Sequence, residues 1–172
     1  MGAKDQGADA TAGRWLTIPR TLCFISYGND ILLLKRGEHK RVYPGRYNGI
    51  GGHIERDEDP LSGAIREVQE ETGLDVVNMR FRGVIHVDAG EATGILVFVF
   101  SADATSREFT GNDEGTLEWV PRDAIDALPA VEDLPILIRL LFDGDPDAPP
   151  FFAHTSYDAL DQLVMVFAAT PR

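Results

Sequence analysis

The chain contains one cysteine, Cys23, so an internal disulfide is excluded. Set between Leu22 and Phe24 in a strand-like run, it reads as a buried, inert thiol, and the expected compartment is the cytoplasm. Long apolar runs are missing too: a stretch such as residues 95–100 is far too short to cross a bilayer, and no membrane association is expected. A secretory leader is not visible, because residues 1–13 are small and polar; they are expected to form a disordered tail. Basic residues are scarce, 16 Lys and Arg against 28 Asp and Glu. The resulting net charge of −12 argues against a broad cationic face for a polynucleotide. There is no internal repeat.

The 172 residues, 44% hydrophobic and 26% charged, suit one globular domain over residues 14–172, with a carboxyl-terminal hairpin extension from about 149. The few cations are bunched. Lys35, Arg36, Lys40, Arg41 and Arg46, with His39, fall in one short stretch of an acidic protein. That suits a small polyanion arriving with metal ions; a merely solvated loop is the alternative. Residues 20–27 and 31–35 flank Gly28-Asn29-Asp30 and predict a hairpin. Residues 36–46 read as a polar loop, and 47–52 as a short strand or tight turn. Further strands are expected at 76–87, 94–101 and 116–120, helical segments at 123–128 and 131–142, and a closing hairpin from 151–157 and 163–167. Phe24, Tyr47, Phe98, Phe100 and Trp119 read as core. Strands that often follow one another directly, mixed with helices, indicate the α/β (α+β) class with a mixed sheet and not a doubly wound parallel one.

The segment between Asp59 and Gly73 carries the chemistry. Asp59 can cap a helix, Pro60 suits its first position and Gly73 its exit. Leu61, Ala64, Ile65, Val68 and Thr72 recur at helical spacing and define the face expected to be buried. Glu67, Glu70 and Glu71 are expected on the opposite, exposed side. Like charges three and four residues apart repel, and anions at a helix carboxyl end oppose its macrodipole. A divalent cation would offset both penalties, and carboxylate oxygens are the ligands Mg²⁺ or Mn²⁺ prefers. Arg66 can orient Glu67 or Glu70 through an ion pair, or be an ordinary surface pair.

Gly52, five residues, Glu58, seven residues, then Arg66-Glu67-Val68-Gln69-Glu70-Glu71-Thr72-Gly73-Leu74 matches the Nudix box at every defined position. From average residue frequencies, a chance match is on the order of one in ten million. The chain therefore resembles the Nudix hydrolases, with looser likeness from about Leu22 to Phe142. Residues 45–52 and 114–121 resemble the branch that hydrolyses oxidised purine nucleoside triphosphates.

The resemblance implies an α/β/α sandwich with a mixed β-sheet, a Mg²⁺ or Mn²⁺ cofactor and a nucleotide substrate; monomer and homodimer are both open. By its terms Glu67 and Glu71 are metal ligands with the Gly51 carbonyl, and Glu70 holds a second metal or its water. Arg66 orients Glu67, Glu58 supports the join between loop and helix, and Glu114 assists the metals or takes the water's proton, with Asp113 as substitute. The general base stays open among Glu67, Glu70, Glu71 and Glu114. Lys35, Arg36 and Arg46 are candidates to neutralise phosphate, and Asn48 to read a purine edge, with a structural turn role as the alternative. Glu132 and Asp133 match an acidic pair lining the base pocket in that branch, but no aromatic residue precedes them; Tyr47 or Phe24 would have to stack instead. The expected reaction cleaves a nucleoside diphosphate linked to another group, foremost an 8-oxo-dGTP-like triphosphate to monophosphate and pyrophosphate. The alternatives are ADP-ribose, dinucleoside polyphosphates or capped nucleotides, or a sensor that binds a nucleotide without cleaving it. The terminal hairpin would either cover the pocket or mediate a dimer.

Overall fold

A computed structural model describes residues 2–111 and 113–169. Its strands are β1 (Leu16–Tyr27), β2 (Asp30–Arg36), β3 (Tyr47–Asn48), β4 (Val76–Val87), β5 (Thr93–Ala104), β6 (Gly115–Pro121), β7 (Phe151–Tyr157) and β8 (Leu163–Phe167). Its helices are α1 (Pro60–Thr72) and α2 (Leu134–Phe142), with 3₁₀ turns at Ala3–Gln6 and Arg122–Ala127. The sheet runs β3-β2-β1-β5-β4-β7-β8, and β6 pairs with the other edge of β2. The sheet is mixed: β1 lies parallel to β5 and β4 parallel to β7, while the β1–β2, β2–β6, β4–β5 and β7–β8 pairs are antiparallel. This is the α+β architecture expected from the order of elements.

Alternation along β2 divides the core. Ile31 and Leu33 join Phe24, Ile85, Val99 and α2's Leu134, Leu137, Ile138 and Leu141 on one face. Leu32 and Leu34 join Cys23, Ile25, Phe100, Leu117 and α1's Ala64 and Val68 on the other. Cys23 is wholly buried, and burial pushes its thiol up to about 12, which keeps it inert as expected.

Helix α1 begins and ends where its signals predict. The Asp59 carboxylate accepts the Leu61 and Ser62 N–H groups, and Gly73 turns out of the helix at φ 66°. Its buried stripe is rotated from the expected one. Gly63, Ala64, Val68, Glu71 and Thr72 are buried, whereas Leu61 and Ile65 stand 45% and 48% exposed. Two glutamates expected on a solvent face are thereby separated: Glu71 is only 8% exposed, while Glu70 remains outside. Helix α2 starts at Leu134, not at residue 131, because Val131 donates its N–H to the Tyr47 carbonyl and that segment bridges β3 before it coils. Residues 122–127 wind as a 3₁₀ turn rather than an α-helix.

The site is opened by a split between β1 and β2. Their pairing covers Ile25–Leu32 to Tyr27–Asp30 and then stops. Residues 47–53 fill the gap. Tyr47 and Asn48 pair with Lys35 and Leu34 of β2, after which Ile50 bridges Cys23 and His53 bridges Arg20 of β1. Gly51 sits where this crossing segment presses on β1. A Cβ there would collide with the Thr21 carbonyl, so no other residue fits without moving the backbone. Gly51→Ala is expected to lower stability by about 1–3 kcal/mol, the usual cost of overpacking a tight contact. Urea unfolding of the purified variant measures it, and an unchanged midpoint would show that the crossing segment is looser than this packing implies.

Candidate active site

Several elements meet at the split: β1, the loop after β2, the crossing segment 47–53 and the side of α1 that carries Glu67, Glu70 and Glu71, with β4, β5, residues 130–133 and the β7–β8 hairpin. They line a cleft of about 900 Å³. Glu67, Glu70, Glu71, Glu114, Arg36, Arg46, Asn48, Gly51, Glu132 and Asp133 all border it. Of the residues selected from sequence, Lys35 and Arg66 are not among its lining residues: Lys35 alternates on β2 with Leu34 and Arg36, and its ammonium lies 5.7 Å from the Tyr47 ring centre.

At the α1 side Glu67 and Glu71 lie one turn apart against the glycines of the crossing segment. A Cβ on Gly52 would stand 2.5 Å from Glu67 Oε1, so glycine is what lets that carboxylate lie on the main chain. The Gly51 N–H donates to Glu71 Oε2 at 3.4 Å. Arg66 fixes the rest. Its Nε and Nη2 donate to the two oxygens of Glu58 at 3.1 and 2.7 Å, Nη2 donates to the His53 carbonyl at 3.0 Å, and Nη1 reaches Glu67 and Glu70 at 2.9 Å each. Glu58 also accepts the Glu55 N–H at 2.8 Å, and its carboxyl is held below its usual value, chiefly by the Arg66 hydrogen bonds.

Glu71 has the opposite environment. Burial, then the charge of Glu67 and more weakly that of Glu114, push its carboxyl up to about 7, against the pull of the Gly51 N–H and Arg36. Glu114 comes from the turn just before β6 and is ion-paired with Lys40 at 2.7 Å, with Arg36 at 3.8 Å. Glu70 is turned to Arg66 and is 61% exposed, so among the described residues no three acidic, His or Cys side chains converge as a preformed metal cage. The donors are nonetheless all oxygen, and two of them repel each other in a partly buried place, which suits a hard divalent cation.

The hairpin side is different. Glu132 and Asp133 lie here, Glu132 accepting the Leu163 N–H of β8 at 2.9 Å. Burial, with the charge of Glu132 adding to it, pushes the Asp133 carboxyl up. Asn48 borders the cleft, but its amide oxygen accepts the Gly49 N–H at 2.8 Å, so a ligand contact would fall to its NH₂ group. Tyr47 and Phe24, the aromatics considered for stacking, are 6% and 0% exposed and belong to the core. Residues not singled out from sequence also border the cleft: Arg20, whose Nε is buried without an acceptor among the described residues, and Tyr43 and Tyr157. No local pattern marks them. Arg20 stands in an apolar strand, and the two tyrosines are 114 positions apart.

The fold and the glutamate helix define a hydrolase class, and the comparisons supply the family. The chain belongs to the Nudix hydrolase family: the NUDIX domain pattern matches residues 17–141. It is 29% identical over 114 residues to an uncharacterised Nudix hydrolase, YvcI, of Bacillus subtilis, a match covering 63% of this chain and 69% of that protein. It is 34% identical over 107 residues to the oxidized purine nucleoside triphosphate hydrolase of Mus musculus, covering 61% of this chain and 67% of that one. A match at 27% to the NAD-capped RNA hydrolase NudC of Pseudomonas aeruginosa spans only 39% of NudC. A mutator MutT protein from Bacillus halodurans shares the fold with a TM-score of 0.74 over 90% of this chain and 99% of that one, at 24% identity.

The buried Glu71 gives a test of the site without any substrate. Its folded-state pKa of about 7 exceeds the ordinary 4.5, so the folded protein holds the extra proton between those values. Metal-free stability should therefore fall as pH rises from 4.5 through 7, the reverse of a salt-bridged carboxylate. Urea unfolding in chelator at about pH 5 and about pH 8 should show this slope in wild type and a flatter one in Glu71→Gln. Equal slopes in the two proteins would remove Glu71 as its source.

Proposed function

We propose that this protein hydrolyses a nucleoside triphosphate, preferring an oxidised purine such as 8-oxo-dGTP, to the monophosphate and pyrophosphate. The observation that carries the reading is the unlike chemistry of the two neighbourhoods in one cleft. Around Glu71 are Glu67, Glu114 and Arg36; around Tyr43 are Tyr157, Asp133 and Glu132. An anionic chain fits the first only with cations, and a neutral ring with N–H donors fits the second. The mouse relative named for oxidised purine triphosphates, 34% identical to this chain, supports the same direction.

Hydrolysis adds water to phosphorus as the bridging P–O bond breaks, and negative charge grows on oxygens that already repel a nucleophile. Glu67 and Glu71, with Glu70 and the Gly51 carbonyl, would hold Mg²⁺ or Mn²⁺, which would supply charge neutralisation and a lowered pKa for its bound water. Arg66 keeps Glu67 against Gly52 and ties Glu70 to the same helix face. Arg36 and Arg46 line the cleft where the remaining phosphate charge lies. The proton leaves to one of the four carboxylates, Glu67, Glu70, Glu71 or Glu114. At the far side the carboxylates of Glu132 and Asp133 offer acceptors to the N–H donors of a base edge.

The test is product chromatography with Mg²⁺ on 8-oxo-dGTP, normal dNTPs, ADP-ribose and diadenosine polyphosphates. The triphosphates, 8-oxo-dGTP first, should be turned over to monophosphate and pyrophosphate. Glu71→Gln should lose about two to three orders of magnitude in kcat, the scale for one preorganised charge-stabilising group, while remaining folded. Preference for ADP-ribose or a dinucleotide would overturn the triphosphate reading and leave the family intact.

A further inference from the structure

The acidic pair Glu132-Asp133 has no aromatic neighbour in sequence, yet among the described lining residues the cleft holds two phenol rings beside it. Tyr43 comes from the loop after β2 and Tyr157 from the end of β7, and their hydroxyls meet at 3.2 Å. This contact joins the loop to the carboxyl-terminal hairpin. Both rings border the same cleft as Glu132 and Asp133, whose charges are felt at the Tyr43 hydroxyl.

Tyr43 is held there against its backbone preference. Its φ is 50°, a left-handed conformation unusual for a bulky residue, and it precedes Pro44, which further disfavours helical-type conformations. The loop fixes it on both sides: Arg36 Nε donates to the Val42 carbonyl at 2.8 Å, and the Arg46 N–H donates to the Tyr43 carbonyl at 3.2 Å. Strained residues overdetermined by their surroundings cluster at active sites and ligand clamps. Tyr43 remains 46% exposed, so its ring still has surface to cover. Tyr157 is turned toward the cleft by strand parity. β7 pairs parallel with β4, its alternate residues Ala153 and Thr155 are buried, and Tyr157 continues that row.

We propose that Tyr43 and Tyr157 form the aromatic wall of the nucleobase site, so that the carboxyl-terminal hairpin, outside the matched domain, builds half of the substrate's base recognition. The inference rests on the reading of the cleft as a nucleotide site. The rings meet by their hydroxyl tips, so they act as one wall on whose faces a base packs, with its polar edge left to the carboxylates. Stacking on an aromatic side chain tolerates any base, while the polar edge selects among them.

The test is equilibrium binding to the full chain with Mg²⁺, using three probes: GMP, ribose 5-phosphate, which lacks the base, and inorganic pyrophosphate. Wild type should bind GMP more tightly than ribose 5-phosphate. Tyr43→Ala and Tyr157→Ala should each weaken GMP by roughly 5- to 150-fold, the range for one lost stacking contact. Tyr43→Phe and Tyr157→Phe, which keep the rings, should stay within about threefold of wild type, and pyrophosphate binding should be unchanged in all four. Alanine variants that bind GMP as wild type does would overturn the proposal. Loss of pyrophosphate together with GMP would overturn it as well, reducing the tyrosine contact to a structural tie. If wild type itself gains nothing from the base, the nucleotide reading fails before the tyrosines are judged.

Discussion

Arg66 is the interaction on which the arrangement of the site depends. One guanidinium reaches both oxygens of Glu58, one oxygen each of Glu67 and Glu70, and the His53 carbonyl. It therefore ties the loop before α1, the last turns of α1 and the end of the crossing segment to a single planar group. Arginine suits this place because its donors are fixed in a fork and its charge is permanent, whereas a lysine would offer a point charge on a flexible stem. The clamp also divides labour among the glutamates. Glu67 and Glu70 are ion-paired with Arg66, while Glu71 lies buried against Gly51, where the charges of Glu67 and Glu114 outweigh the weaker pull of Arg36.

That asymmetry explains why an acidic cluster persists at the helix end where the macrodipole opposes it. Burying Glu71 and setting Glu67 beside it disfavours the charged carboxylate, and a divalent cation would offset that penalty. The two glycines are part of the same device. Gly51 allows the crossing segment to touch the Thr21 carbonyl, and Gly52 leaves room for the Glu67 carboxylate. Both follow from the parting of β1 and β2, since paired strands would leave no segment for the glutamates to face.

The family comparisons and the cleft speak to different levels. Likeness to the Bacillus halodurans protein at 24% identity concerns the fold, and the matched domain ends at residue 141. The hairpin of β7 and β8 lies beyond that end, yet it extends the sheet through β4 and contributes Tyr157, Asp161 and Leu163 to the cleft.

By itself the sequence determined the family, the limits of α1, the β1–β2 turn and the closing hairpin, because each rests on local rules: a capping aspartate, a left-handed glycine, alternation, and a motif of fixed spacing. It also placed Glu67, Glu70, Glu71 and Arg66 close together on one helix, whatever surrounds it. Only the tertiary structure decided which glutamate is buried. The apolar stripe of α1 drawn from spacing included Leu61 and Ile65, but the helix settles with Ala64, Val68 and Glu71 inward, because its inner face must meet both the sheet and the crossing segment. Likewise Lys35 and Arg36 are neighbours in sequence, and strand alternation brings only Arg36 to the cleft. Tyr43 and Tyr157 were invisible as a pair for a simpler reason: no local rule links residues 114 positions apart, and their contact exists only once the loop and the hairpin are folded onto the same sheet.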